Sequence, residues 1–289
     1  MYYFLKPFVK VDTFYHLPLL LLSSLFLVLV YGSPVLHENI VSQHCDQRYN
    51  KTLGNYELHN NILDSAKGYG TQCIEGEAKG KDGISWKTAW SWKDSSTFKS
   101  FPHIEYIWDE GQAFYFNNIK SIPFTWDWSY EDVPAPINTG KDDDKKGGKA
   151  KEDEPLKATV SFELLTYSLE TRQVDFQIRI WFGLFGDVDT LGEEVVGTPT
   201  FKHEDGIEWK LYKGANNKLT IFTLVPKDKE EIVSLYHDDA LPYYNYLVEH
   251  GHIPWDAPKG LFKIRAGSQT YAGSKKQFIT HFFSINLEQ

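Results

Sequence analysis

The chain has 289 residues, 42% apolar and 24% charged, with a net charge of −9, which is globular composition for one large β-domain or two average ones. The negative charge excludes nonspecific attraction to nucleic acid, which needs a basic surface, and two cysteines allow one disulfide but no Cys-based zinc site of the usual kind. Aromatic residues reach 16%, with nine Trp, 17 Tyr and 19 Phe, a composition that suits β-strands and sugar-stacking surfaces better than a helical bundle.

At the amino terminus Lys6 and Lys10 precede an apolar run from Leu17 to Val30. Val30-Tyr31-Gly32 puts small or modest residues where a signal peptidase looks, so 1–32 reads as a signal peptide and 33–44 as a lead into the mature domain. The run is shorter than the ~20 residues of a spanning helix, and an uncleaved anchor is the alternative. Export places the protein outside the cell or in the cell wall, with no membrane contact after cleavage. It also favours a Cys45–Cys73 disulfide and makes Asn50-Lys51-Thr52 a usable glycosylation sequon.

From Cys45 onward short alternating segments are broken by turns. Trp86, Trp90 and Trp92 share one face of a strand, and Trp126 and Trp128 repeat the pattern with Thr125, Asp127 and Ser129 opposite. Residues 140–154 carry no apolar side chain larger than Ala, so they cannot bury a core and read as a mobile surface loop. Further strands are expected at 158–167, 174–182, 208–212, 219–225 and 277–287. Asp239 to His250 reads as the one helix, capped by Asp238 or Asp239, with Pro242 in its first turn and Gly251 as its stop. Many strands and one short helix predict a single all-β sandwich.

The segment Asp175-Phe176-Gln177-Ile178-Arg179-Ile180-Trp181-Phe182 is the most informative. Alternation sends Phe176, Ile178, Ile180 and Phe182 to the core, leaving Asp175, Gln177, Arg179 and Trp181 on the opposite face. Such a row is either a sugar-binding face, with the indole stacked on a pyranose, or an exposed sheet face with one amphipathic aromatic.

At this point the chain resembles glycoside hydrolase family 12, the retaining endo-β-1,4-glucanases and xyloglucanases. The resemblance runs from Cys45 to Leu287 and rests on motifs in order: the Cys45 and Cys73 pair, Gly54-Asn55-Tyr56, Asn60-Asn61, Trp86 to Trp92, and Lys99-Ser100-Phe101-Pro102. Ser121-Ile122-Pro123, Ile180-Trp181, Trp209-Lys210-Leu211-Tyr212-Lys213-Gly214, Asn245-Tyr246-Leu247 and Ala266-Gly267-Ser268 continue it. It implies a concanavalin A-like jelly roll with a long open cleft. The implied ligand is a β-1,4-glucan or xyloglucan oligosaccharide, bound by a monomer without cofactor or metal.

The departures from the family pattern matter more. The position of the family's nucleophilic Glu holds Gln177, and that of its acid/base Glu holds Gln269. An amide has nearly the shape of a carboxyl but neither its charge nor its titratable proton. One auxiliary carboxylate remains, Glu163. Arg179 stands where the family is typically apolar; it and Arg265 either pair with Glu163 or point to solvent. Leu63 replaces a stacking Trp and His103 an Asn, the latter read as a hydrogen-bonded surface residue. Trp181, Asn61, Leu63, Arg179 and Asp175 are the expected substrate contacts. Three readings follow: a secreted noncatalytic relative that binds glucan or acts as a decoy, an active endoglucanase using Glu163 and Asp175 as relocated carboxylates, or a structural secreted protein.

Overall fold

The computed structural model describes residues 43–94, 96–108, 112–133, 153–202, 206–228, 231–257 and 259–289. The expected signal peptide, nearly all of the lead 33–44 and most of the charged loop 140–154 lie outside them. All described residues belong to one compact unit. None of its helices is long and apolar enough to cross a membrane.

Fifteen strands form among the described residues. In chain order they are β1 (Asn50–Leu53), β2 (Tyr56–His59), β3 (Gly70–Lys79), β4 (Gly83–Trp92), β5 (His103–Tyr106), β6 (Phe114–Tyr115), β7 (Pro123–Asp132) and β8 (Lys157–Ser168). There follow β9 (Val174–Phe185), β10 (Glu193–Glu194), β11 (Phe201–Lys202), β12 (Glu208–Asn216), β13 (Leu219–Pro226), β14 (Leu235–Asp239) and β15 (Lys259–Ile285). The helix α1 (Leu241–Glu249) starts two residues later than expected, because Asp239 belongs to β14 and its carboxylate accepts from the Ile122 and Leu241 amides. Gly251, at a left-handed φ of 71°, lets the chain turn away beyond it.

The larger sheet runs β1-β2-β5-β15-β8-β9-β13-β12-β10, antiparallel except between β9 and β13. The smaller one is β3-β4-β15-β7-β14. Packed face to face, they make an all-β jelly-roll sandwich. β15 belongs to both: Lys259 to Ala272 pair with β8, and Gly273 to Ile285 pair with β4 and β7. Sequence reading marks only 277–287, because Gly260, Gly267 and Gly273 look like breaks. They are close approaches instead. A Cβ on Gly267 would stand 2.2 Å from the Pro102 carbonyl oxygen, and one on Gly260 would overlap the Tyr167 ring.

Alternation builds the core as expected: Phe124, Trp126 and Trp128 point inward from β7, Phe162 and Leu164 from β8, and Ile178 and Ile180 from β9. Trp126 and Phe283 meet edge to face at 5.7 Å. Seven of the nine Trp are buried. The aromatic richness is thus core filling more than a sugar platform.

Cys45 and Cys73 are bonded, with Cα atoms 4.1 Å apart, fastening the entering chain to β3 beside the His44–Ile74 bridge. Asn50 is exposed at the start of the edge strand β1. Closing a 28-residue separation removes about 3–4 kcal/mol of unfolded-state entropy. Reduction, or the pair Cys45→Ser and Cys73→Ser, should lower the unfolding free energy by roughly that amount, and a urea titration of both forms measures it. An unchanged midpoint would contradict the claim.

Candidate functional site

The face of the larger sheet turned away from the core carries one buried carboxylate. Phe162 and Leu164 point into the core, so Glu163 between them points the other way, and it is 1% exposed. Strand pairing sets its neighbours. Glu163 stands opposite Arg179 on β9 and Arg265 on β15, and the row continues through Glu105 to Glu57 on one side and through Thr223 and Tyr212 to Glu194 on the other.

Two amides close on the carboxylate. Gln177 Nε2 donates to Glu163 Oε2 at 2.8 Å, and Gln269 Nε2 donates to Oε1 at 2.9 Å. Both Gln side chains are buried. The two amides, which the resemblance sets at the family's paired Glu positions, thus meet through Glu163 itself. Arg179 Nη2 donates to Gln177 Oε1 at 3.3 Å. Its Nε lies 3.5 Å from Glu163 Oε1, close enough for an ion pair but without hydrogen-bond alignment. Thr159 Oγ1 reaches Gln269 Oε1 at 3.5 Å. An anion taken out of water is tolerable only with such compensation. Arg265 points instead to Glu105, at 3.2 Å, where Lys263 also binds at 2.6 Å.

The other expected contacts fall differently. Asp175 is the extra residue of a bulge, because Phe176 pairs with Thr166 and Val174 with Tyr167. The bulge breaks the alternation. Asp175 accepts from Thr166 Oγ1 at 2.6 Å and pairs with Lys259 at 2.7 Å, apart from the Glu163 group. Trp181 is fully buried against Val188 and Val225, because the chain turns back after β9 at Gly186 and lays Val188 on it. Its indole therefore offers no open stacking face. Asn61 Nδ2 donates to the Phe101 carbonyl at 3.2 Å, so this amide braces backbone. Leu63 is half-buried before the short turn Asp64–Ala66, its amide bonded to the Lys99 carbonyl.

His103 corrects the surface reading, for it is buried. Its ring stacks between Phe101 at 4.6 Å and His59 at 4.8 Å, and its Nδ1 donates to the Phe101 carbonyl at 2.6 Å. Glu105 completes a group with the two imidazoles that sequence reading missed, since His59 and His103 meet only through β2–β5 pairing. Their ligand atoms lie within 4.8 Å of one another, but His103 Nδ1 is spent on the Phe101 carbonyl and Glu105 is already taken by two cations. The group is a poor cation cage. Burial holds the His103 pKa well below its ordinary 6.5, with Arg265 and His59 adding to the effect.

Tyr212, Leu184 and Tyr271 stay partly exposed beside Trp181 and were also missed. Burial raises the Tyr271 pKa, opposed by Arg179.

No family model matches the chain. It is 26% identical over 250 residues, 86% of this chain and 92% of the relative, to a xyloglucan-specific endo-β-1,4-glucanase A of Aspergillus aculeatus. Among solved structures it superposes on endoglucanase 3 of Trichoderma harzianum, from glycoside hydrolase family 12, with a TM-score of 0.68 and 23% identity, covering 86% of this chain and 97% of that one. The catalytic domain of Humicola grisea Cel12A, solved with a thio-cellotetraose, gives 0.67 and 20%, covering 85% and 99%.

A buried neutral His103 makes the stability depend on pH. Its folded pKa lies below the unfolded one, so below about pH 6.5 the unfolded chain binds the extra proton and stability falls as pH drops. His59, lowered chiefly by burial, acts in the same direction. His103→Asn should give a smaller loss of melting temperature between pH 7.5 and 5 than the parent. Parallel pH profiles for the two proteins would refute this.

Proposed function

We propose, from its likeness to a xyloglucan-specific endo-β-1,4-glucanase and to the fold of glycoside hydrolase family 12 structures, that the chain is a secreted member of that family holding a β-1,4-glucan or xyloglucan chain on the Glu163 face without cleaving it. One observation carries the reading: the side chains at the two positions matched to catalytic carboxylates, Gln177 and Gln269, both donate to the same remaining carboxylate.

Retaining hydrolysis needs one carboxylate to attack the anomeric carbon and a second carboxyl, ~5–5.5 Å away, to protonate the leaving oxygen. Neither amide can do either task. Glu163 is the nearest substitute, but each of its oxygens already accepts an amide proton and Arg179 lies beside it. With both oxygens engaged in this way, Glu163 is not free to attack an anomeric carbon. Asp175, the other candidate for relocated chemistry, is tied to Lys259 and Thr166. What is left on this face is hydrogen bonding to sugar and contact with Tyr212, Tyr271 and Leu184.

The protein should release no reducing sugar from carboxymethylcellulose or xyloglucan when assayed beside an active family member, while binding oligosaccharide in the same preparation. The double change Gln177→Glu, Gln269→Glu should restore slight activity at most, because Arg179, 3.3 Å from the present Gln177 Oε1, would pair with the new carboxylate and hold back its attack. Adding Arg179→Leu and Leu63→Trp should recover more. Robust parental turnover that is lost on Glu163→Gln or Asp175→Asn would overturn the proposal. Binding to no glycan would favour a structural role.

A further inference from the structure

The hydrogen-bonding balance around Glu163 is one-sided. Its two carboxylate oxygens and the carbonyl oxygens of Gln177 and Gln269 all receive a proton already. Each of those oxygens keeps a second lone pair, but Glu163, Gln177 and Gln269 are buried, so a sugar hydroxyl has little access to them. Arg179 Nε and Trp181 Nε1 are buried N–H groups with no hydrogen-bond partner, and the Ser161 and Thr223 hydroxyls, which can donate or accept, are likewise unmatched. Register groups these four: Ser161 stands opposite Trp181, and Thr223 opposite Arg179.

Charge here is locally balanced: Arg179, Arg265 and Lys263 face Glu163, Glu105 and, one strand further out, Glu57, whereas the whole chain carries −9. The cation is also the part a ligand meets first. Glu163 is 1% exposed, Gln177 6% and Gln269 4%, whereas the Arg179 side chain keeps 19%.

An accessible guanidinium beside buried acceptors that are each already bonded fits a group that only accepts, and a carboxylate is that group. We propose that this face binds an acidic saccharide, a β-1,4-linked chain bearing uronate carboxylates, in preference to a neutral glucan. The Arg179 guanidinium receives the carboxylate. The inference rests on the reading of this face as a glycan-binding site.

A matched pair of ligands tests it: β-1,4-linked tetraglucuronate and cellotetraose, which share linkage and length and differ at C6. Both are titrated calorimetrically into the disulfide-bonded protein, with a xyloglucan oligosaccharide as a third ligand. The acidic tetramer should bind at least tenfold more tightly at low salt, about 1.4 kcal/mol, with the margin shrinking as salt is added. Arg179→Gln should bring the two ligands within about threefold, its melting curve reporting that it folds; should it not fold, the parental preference and its salt dependence decide. Equal or tighter binding of cellotetraose would overturn the inference and leave the glycan-binding reading standing. A preference that persists in folded Arg179→Gln would also overturn it, by assigning the attraction to other surface cations. Failure of all three ligands would overturn the glycan-binding reading itself.

Discussion

Glu163 is an ionisable group cut off from water in the middle of a sheet, and the arrangement of three strands around it follows from that. An uncompensated buried charge costs several kcal/mol, and removing one partner of a buried pair typically costs 3–5 kcal/mol. The compensation comes from β9, through Gln177 and Arg179, and from β15, through Gln269. Each donor sits on a different register level, so the carboxylate holds β8, β9 and β15 in a fixed relation. A one-residue slip of any of them would turn its donor to the opposite face of the sheet.

That relation depends on β15 being continuous. Lys259 to Ala272 form the centre of the larger sheet, and the same strand crosses into the smaller one from Gly273 onward. The core packed between the sheets therefore fixes Gln269 directly, through Ala266 and Ile264 on the inward face of the same strand. Gly267 lets β5 lie close enough for His103 to stack beside this strand. Packing energy from the aromatic core is thus converted into the position of one amide.

How much of this was readable beforehand divides along local and non-local lines. The inward faces of β7 and β9 follow from the alternation, and the disulfide expected from export forms, while the helix begins two residues later than its caps suggest. The resemblance brought Gln177, Gln269 and Glu163 together in advance, but not the direction of their hydrogen bonds. Asp175 departs because one extra residue in β9 is invisible until β8 supplies its partner. Trp181 departs because Val188, seven residues on, folds over it. His103 looked like a surface residue because its shield, the ring of His59, arrives from another strand. In each case the deciding atom lies outside the sequence window that was read.

Gln at positions 177 and 269 has a physical consequence for the buried carboxylate between them. Were both positions Glu, as the resemblance assigns to active relatives, Glu163 would face two further carboxyls at about hydrogen-bond distance. Like charges so close cannot all remain ionised, and protons must be shared or pKa values forced apart. That strain is useful in an enzyme, where it poises one acid and one base. An amide of nearly the same shape reverses the sign of each contact, turning repulsion into a charge-assisted hydrogen bond contributing about 1.5–3 kcal/mol. Arg179 then adds a countercharge beside the carboxylate. Gln177, Gln269 and Arg179 therefore act in one direction on the folded site, each supplying a donor to, or a countercharge beside, the one buried carboxylate.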